Sequence, residues 1–203
     1  MKIIFHIPKA NPEKQAELVR QQWMKLKEPQ SMPIAILFSI PFMILAAGIT
    51  LILTSLFHPI RLEDFGFHGG SITFKINILY IIGIFVVLII HELIHLVLVP
   101  NFMKSNKTWI GIQLFGGFVL TEEVMSRNRF VLISLSPFLV ISIILPIIFG
   151  FFGWLNPTVI FLFFLNAMGS SVDLLSLTLI LFQVPKKALI INCHLTTYWK
   201  LSK

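Results

Sequence analysis

Charge is scarce in this chain and cysteine is almost absent. Only 12% of the residues are Asp, Glu, Lys or Arg, about half the share usual in a soluble domain. Cys193 is the single cysteine, which excludes an intrachain disulfide and a metal site built on thiolates. Acidic residues number nine against 16 Lys and Arg, so any carboxylate inside an apolar run stands out. The basic residues are dispersed and follow the apolar runs, which argues against nucleic acid as a partner and for anionic lipid. No internal repeat and no low-complexity linker is visible. The opening MKIIFHIPKA lacks the unbroken apolar stretch of a cleaved signal peptide, because His6 and Pro8 interrupt it. The first apolar span is therefore expected to act as its own targeting signal.

What the chain has in quantity is hydrophobic residues, 56% of the total, gathered in long runs. A hydrocarbon core of ~30 Å takes about 20 apolar helical residues. Four spans meet that length: Pro33–Phe57, Ile76–Val99, Phe130–Phe152 and Thr158–Phe182. Pro100, Pro157 and Pro185 punctuate their ends, while Pro41, Pro137 and Pro146 fall inside and predict kinks. The spans divide the chain into an N-terminal tail over 1–32, a membrane domain over 33–184 and a C-terminal tail over 185–203. Asn11–Lys27 reads as an exposed or interfacial helix. Fourteen Lys and Arg fall in the two tails and the second loop, against Arg61 and Lys75 alone in the first loop and none in the third. That asymmetry predicts a multi-pass protein of the cell membrane with both termini in the cytoplasm.

Within the second span stands VVLIIHELIHLVLVP, residues 86–100. His91, Glu92 and His95 form an H-E-x-x-H sequence there. Residues i and i+4 share a helix face, so both imidazoles can reach one ion, and Glu92 lies where it can take a proton from an attacking water. An ionised group at a helix centre costs about 2.5–3.5 kcal/mol on insertion scales, so intramembrane ionisable residues usually mark function. The bland alternative is a pair of structural histidines bonded to neighbouring helices. The other histidines, His6, His58, His68 and His194, lie in tails or loops and read as ordinary surface residues.

A catalytic zinc site needs a third protein ligand and one open position. The fourth span offers one carboxylate, Asp173. His91 and Asp173 each lie about 15 residues into their spans, which puts both ~22 Å from the same membrane face. Asn166, Gly169, Ser170, Asp173 and Ser176 recur at helical spacing as one small, polar stripe. The alternative is that this stripe only packs helices. A dication, one carboxylate and one hydroxide sum to zero charge, the form that a low-dielectric site holds at least cost.

These residues resemble the intramembrane zinc metalloproteases of the site-2 protease clan. More closely, they resemble a family of bacterial integral membrane proteins described as zincin peptidases. The resemblance covers roughly residues 80–180. His91, Glu92 and His95 match the H-E-x-x-H helix, Asp173 the third zinc ligand on a later helix, and Asn166 the Asn that precedes that ligand. Ser136-Pro137-Phe138 resembles a helix motif between the two. Site-2 proteases commonly have a Pro between the Asn and the Asp and a Gly after the Asp; here Gly169 stands near the first position and Leu174 fills the second. No PDZ-like insert is visible.

Thr108–Thr121 alternates in part around Gly116-Gly117 and predicts a β-hairpin. Its strand edge could hold an unwound substrate, or it could be an interface loop anchored by Trp109 and Phe115. Ser71–Lys75 predicts a second short strand. The expected fold class is thus an all-α membrane protein, a bundle of about four transmembrane helices with a short cytoplasmic-side hairpin. The expected function is that of a zinc endopeptidase cutting a membrane-embedded protein or peptide. Zn²⁺ would be held by His91, His95 and Asp173, Glu92 would be the general base, and Asn166 would bind substrate backbone or the oxyanion. A metal transporter would need further ligands forming a relay along the span. A non-catalytic protein with a structural metal would more naturally have four protein ligands and no need of Glu92.

Overall fold

A computed structural model describes residues 2–4, 11–61, 63, 67–68, 71–72, 78–113 and 116–202. Its helices are α1 (Pro12–Arg20), α2 (Met32–Ser55), α3 (Ile78–Leu98), α4 (Arg127–Leu139), α5 (Leu145–Phe151), α6 (Pro157–Gly169) and α7 (Ser171–Gln183). Among the described residues, four helical stretches are long and apolar enough to cross a membrane: Met32–Ser55, Tyr80–Leu98, Arg127–Phe151 and Pro157–Gln183. Each lies within a few residues of its expected span.

Local chemistry sets where the helices start. Asn11, Ser126 and Asn156 are N-caps whose side-chain oxygens accept from Lys14, Arg129 and Val159 N–H at 3.1, 3.3 and 3.1 Å. Such caps satisfy N–H groups that have no partner within the helix. Two spans are also broken internally. In the third, a π-helical turn, Val140–Ile144, joins α4 to α5. It lies between Pro137 and Pro146, each of which removes the N–H that would bond the carbonyl four residues earlier. The carbonyl freed by Pro146 is that of Ser142, and it accepts from Thr50 Oγ1 of α2 at 3.3 Å. The fourth span, expected as one helix, is divided at Ser170. There the Ser170 hydroxyl donates to the Asn166 carbonyl at 2.9 Å, a side-chain bond that bends helices.

α2 packs along α6 and α7, α3 along α4, and α4 also meets α7. Ala46, Phe138 and Ala167 form the buried centre of the bundle, and Gly83 admits Leu162, whose Cδ1 lies 2.9 Å from where a Cβ would stand. Small residues of this kind let helices approach closely in a membrane. Phe85, Ile89, Leu93 and Val97 of α3 are all exposed, at 59%, 50%, 43% and 60%. Their i, i+4 spacing makes one apolar face, which fits lipid contact and leaves the opposite face for His91 and His95.

The chain is not purely helical, and here the expected fold class is corrected. The strands are β1 (Lys2–Ile4), β2 (Met24–Lys25), β3 (Phe67–His68), β4 (Ser71–Ile72), β5 (Thr108–Gln113), β6 (Gly116–Thr121), β7 (Met125–Ser126), β8 (Ala188–Cys193) and β9 (Thr196–Leu201). The expected hairpin is β5–β6, with Thr108 opposite Thr121 and Gly111 opposite Phe118, and β1 adds in parallel to β5. Phe115 lies outside the described residues. Of the expected strand Ser71–Lys75, Ser71–Ile72 pairs with β3, and residues 73–75 lie outside the described residues, as does His6.

The second sheet, in order β2-β9-β8-β7, was not anticipated. It takes up the C-terminal segment read as a tail. The period-2 pattern of ALIINC and TTYWKL suits strands, and both faces of β8 find partners. Ile190 and Ala188 pack with Leu26, Ile180 and Val184 against the bundle, while Ile191, Cys193 and Tyr198 meet Leu18 of α1. Because β2 pairs with β9, the segments near the two chain ends share one sheet at one end of the bundle.

Candidate metal centre

His91 and His95 sit one turn apart on the inward face of α3, with ring centroids 4.9 Å apart. Their Nε2 atoms lie 3.3 and 3.4 Å from one oxygen of Asp173, Oδ2, in the first turn of α7. The break at Ser170 thus starts a new helix just before the carboxylate. All three ligand atoms fall within 4.8 Å of one another, and among the described residues this is the grouping able to hold a metal.

The other nitrogen of each ring is fixed by an acceptor. His91 Nδ1–H donates to Asn166 Oδ1 at 2.9 Å, and His95 Nδ1–H to the Ile133 carbonyl at 3.0 Å. Carbonyl oxygens only accept, so both rings hold their proton on Nδ1 and keep the Nε2 lone pair for a metal, the usual outer-shell arrangement of ligating histidines. Asn166 is itself oriented: its Nδ2 donates to the Pro137 carbonyl at 3.2 Å and to Ser142 Oγ at 2.9 Å, and Ser142 Oγ donates to the Phe163 carbonyl at 3.1 Å. The expectation that Asn166 contacts substrate or an oxyanion is therefore revised. Both of its N–H donors are used within the bundle and it is 4% exposed, so the geometry makes it a residue that orients His91.

Zinc fits this donor set. Ligand bonds near 2.0–2.1 Å in a tetrahedron put neighbouring donor atoms about 3.3–3.4 Å apart, which matches both Nε2–Oδ2 separations. Two neutral imidazoles and one carboxylate also form a common catalytic ligand class, leaving a position open.

Glu92 faces the same cleft, which has a volume of about 600 Å³ and is shared by His91, His95 and Asp173 with Gly117–Val119 of β6 and Met32 and Ile36 of α2. The backbone of Val119 lies near the Glu92 carboxylate. Gly117 stands so close that a Cβ there would overlap Glu92 Cγ. The hairpin thus touches the proposed base directly. β6 is the outer strand of its sheet and, among the described residues, pairs only with β5.

Sequence reasoning brought His91, Glu92, His95 and Asp173 to one place but passed over four supports: the Ile133 carbonyl, Ser142, Gly117 and Val119. A signal existed for the first, since Pro137 lies four residues beyond Ile133 and a proline inside a helix frees that carbonyl. None existed for the hairpin residues, because their contact with Glu92 depends on how the hairpin folds back.

A family model described as "Putative zincin peptidase" matches residues 84–189, just over half of the chain. No curated protein and no solved structure matches. The matched range contains both histidines, Glu92, the hairpin, Asn166 and Asp173, and the chain belongs to this zincin peptidase family.

Proposed function

We propose that the chain is an intramembrane zinc metallopeptidase that hydrolyses peptide bonds of membrane-embedded substrates. The observation behind this reading is the convergence of both Nε2 atoms on Asp173 Oδ2 in a cleft that also holds Glu92. His91, His95 and Asp173 would hold the ion. Bound zinc supplies Lewis acidity, which makes a water more acidic and polarises a carbonyl. Glu92 accepts the proton of the attacking water and passes it to the leaving amine. The close wall at Gly117 and the neighbouring Val119 backbone limit the positions its carboxylate can take. Asn166 and the Ile133 carbonyl keep the histidines in the tautomer that the site needs.

A transmembrane substrate must unwind before its amide can reach the centre. The outer edge of β6 runs along the cleft and offers main-chain partners to an extended segment. The asymmetry of Lys and Arg supports a cytoplasmic location for both chain ends, with cleavage near that side.

The test is the full chain purified with its metal. Wild type is expected to hold about one zinc and cleave a membrane-inserted peptide. Glu92→Gln keeps zinc but loses about 10²–10⁴-fold in rate, the usual worth of a positioned acid–base group. Asp173→Ala loses zinc. A Glu92→Gln protein that cleaves at the wild-type rate would overturn the assignment, as would an Asp173→Ala protein with full zinc.

A further inference from the structure

A second hollow lies away from the metal cleft, on another side of α7. It has a volume of about 610 Å³ and lies beneath the strap of residues 25–30 that joins β2 to α2. Its floor is apolar: Phe38 of α2 with Leu175 and Leu179 of α7. Leu175 and Leu179 are one turn apart, while Asp173 and Ser176 of the same helix face the metal cleft. Lys25 and Lys27 stand in its wall and both are exposed.

The polar side of the hollow favours an anion. The acid in its wall, Glu28, is committed elsewhere: its carboxylate accepts from Thr197 N–H at 2.6 Å and from Thr197 Oγ1 at 3.0 Å. Lys25 Nζ makes a long contact, 3.5 Å, to Gln30 Oε1 and lies within electrostatic reach of Glu28. The strap runs into the start of α2 at Met32.

The depth fits a lipid. Lys25 and Lys27 precede the first span, which begins at Met32, and Phe38 lies six residues further on, ~9 Å into the apolar region. From Phe38 the exposed side chains Leu45 and Ile52 continue one stripe along α2, at 59%, 60% and 67% exposure. A charged head at the span boundary and an apolar track of ~20 Å below it match the two ends of one lipid molecule.

We propose that this groove binds one anionic phospholipid, its phosphate held by Lys25 and Lys27 and an acyl chain laid over Phe38, Leu175 and Leu179. The bound lipid would also tie down the strap, and with it the start of α2, where Met32, Pro33 and Ile36 form one wall of the metal cleft. This site stands independently of the peptidase reading.

The full chain is reconstituted in nanodiscs of equal phosphatidylglycerol and phosphatidylcholine, released, and its retained lipids are counted by native mass spectrometry. One phosphatidylglycerol is expected to stay bound, preferred by roughly tenfold or more, as two basic residues near a membrane surface provide. K25Q/K27Q should bring that preference to within about twofold, because it removes the attraction of both charges. The backbone bonds of Lys27 with Gln183, at 2.9 and 2.8 Å, do not need the lysine side chain, so the strap keeps its place in that variant. K186Q/K187Q removes the same charge from exposed residues beyond α7 and should leave the preference intact. Leu179→Trp fills the groove, keeps both lysines and should also release the lipid. Equal losses in the two double variants would overturn the proposal, reducing it to general surface attraction. So would an unchanged K25Q/K27Q, or a two-chain species that occupies the groove in place of lipid.

Discussion

Ile133 and Pro137 stand one turn apart on α4, and the proline leaves the Ile133 carbonyl free to receive His95 Nδ1 at 3.0 Å. A helix with any other residue at 137 would spend that carbonyl on its own backbone. The third span thus contributes no ligand, yet it fixes the tautomer of one.

Pro137→Ala tests this directly. It restores an N–H that competes with His95 for the Ile133 carbonyl. Zinc affinity of the purified protein, read by competition with a chelator, is expected to fall about 10–100-fold, the usual worth of an outer-shell partner. The helix itself should be no less stable, since a proline has been removed from its interior. Unchanged affinity would mean that His95 does not depend on this acceptor.

How much of this was legible beforehand follows from the kind of signal each part leaves. The spans are written in long apolar runs, and the grouping of His91, His95 and Asp173 in polar residues that an apolar run cannot otherwise tolerate; both were readable. The break at Ser170 was not, because Asn166, Gly169 and Ser170 read as one continuous small stripe, and a serine that bonds a carbonyl looks the same as one that packs. The second sheet was missed for another reason. β8 and β9 follow the last span as short alternating segments, and the pairing of β9 with β2, more than 170 residues away in sequence, leaves no local trace. Asn166 was read as binding substrate, whereas its contacts are with His91, Ser142 and the Pro137 carbonyl, the last two of which the motif does not mention.

Asn166→Ala separates orientation from substrate contact. It strips His91 Nδ1 of its acceptor and leaves the Ser142 and Pro137 groups without their donor. Zinc affinity should again fall about 10–100-fold, with a stability loss of about 1–3 kcal/mol for the buried polar groups left unpaired. A residue that only touched the oxyanion would lower the cleavage rate and leave zinc affinity as it was.

Glu28 gives the assembly a pH dependence outside the spans. Burial raises its carboxyl above the ordinary range, outweighing the hydrogen bonds from Thr197 and the charge of Lys25. A raised carboxyl in the folded state binds its proton more tightly than in the unfolded chain. Its contribution is therefore fully present below the ordinary value of about 4.5 and is lost as pH rises through the folded value. Glu28→Gln keeps an acceptor for Thr197 N–H and removes the buried charge. At pH 7 the melting temperature of this variant should equal or exceed wild type, and the difference should close near pH 4. Glu28→Ala should be less stable than both at pH 7, since it leaves the Thr197 N–H unpaired. A Gln variant that melts below wild type at pH 7 would show that the charge itself is needed.

The last prediction concerns Gly117, the point at which the hairpin meets the proposed base. Its backbone requires no special conformation of glycine; the constraint is space, because a Cβ at 117 would overlap Glu92 Cγ and approach Cδ at 3.2 Å and Oε1 at 3.4 Å. The carboxylate also lies near the Val119 backbone of the same strand, so the hairpin leaves it little room to shift. Gly117→Ala should therefore displace Glu92 and leave His91, His95 and Asp173 where they are, since the histidines are anchored by Asn166 and the Ile133 carbonyl and Asp173 stands on α7. Zinc content is expected to stay near one per chain. Cleavage should fall by about 10²-fold, the loss that misplacing a catalytic group by an ångström brings. Combined with Glu92→Gln, the alanine should add little further loss, because both changes act on one group. A Gly117→Ala protein with full activity would break the link between hairpin and base, and one that loses zinc would place the hairpin's influence on the ligands instead.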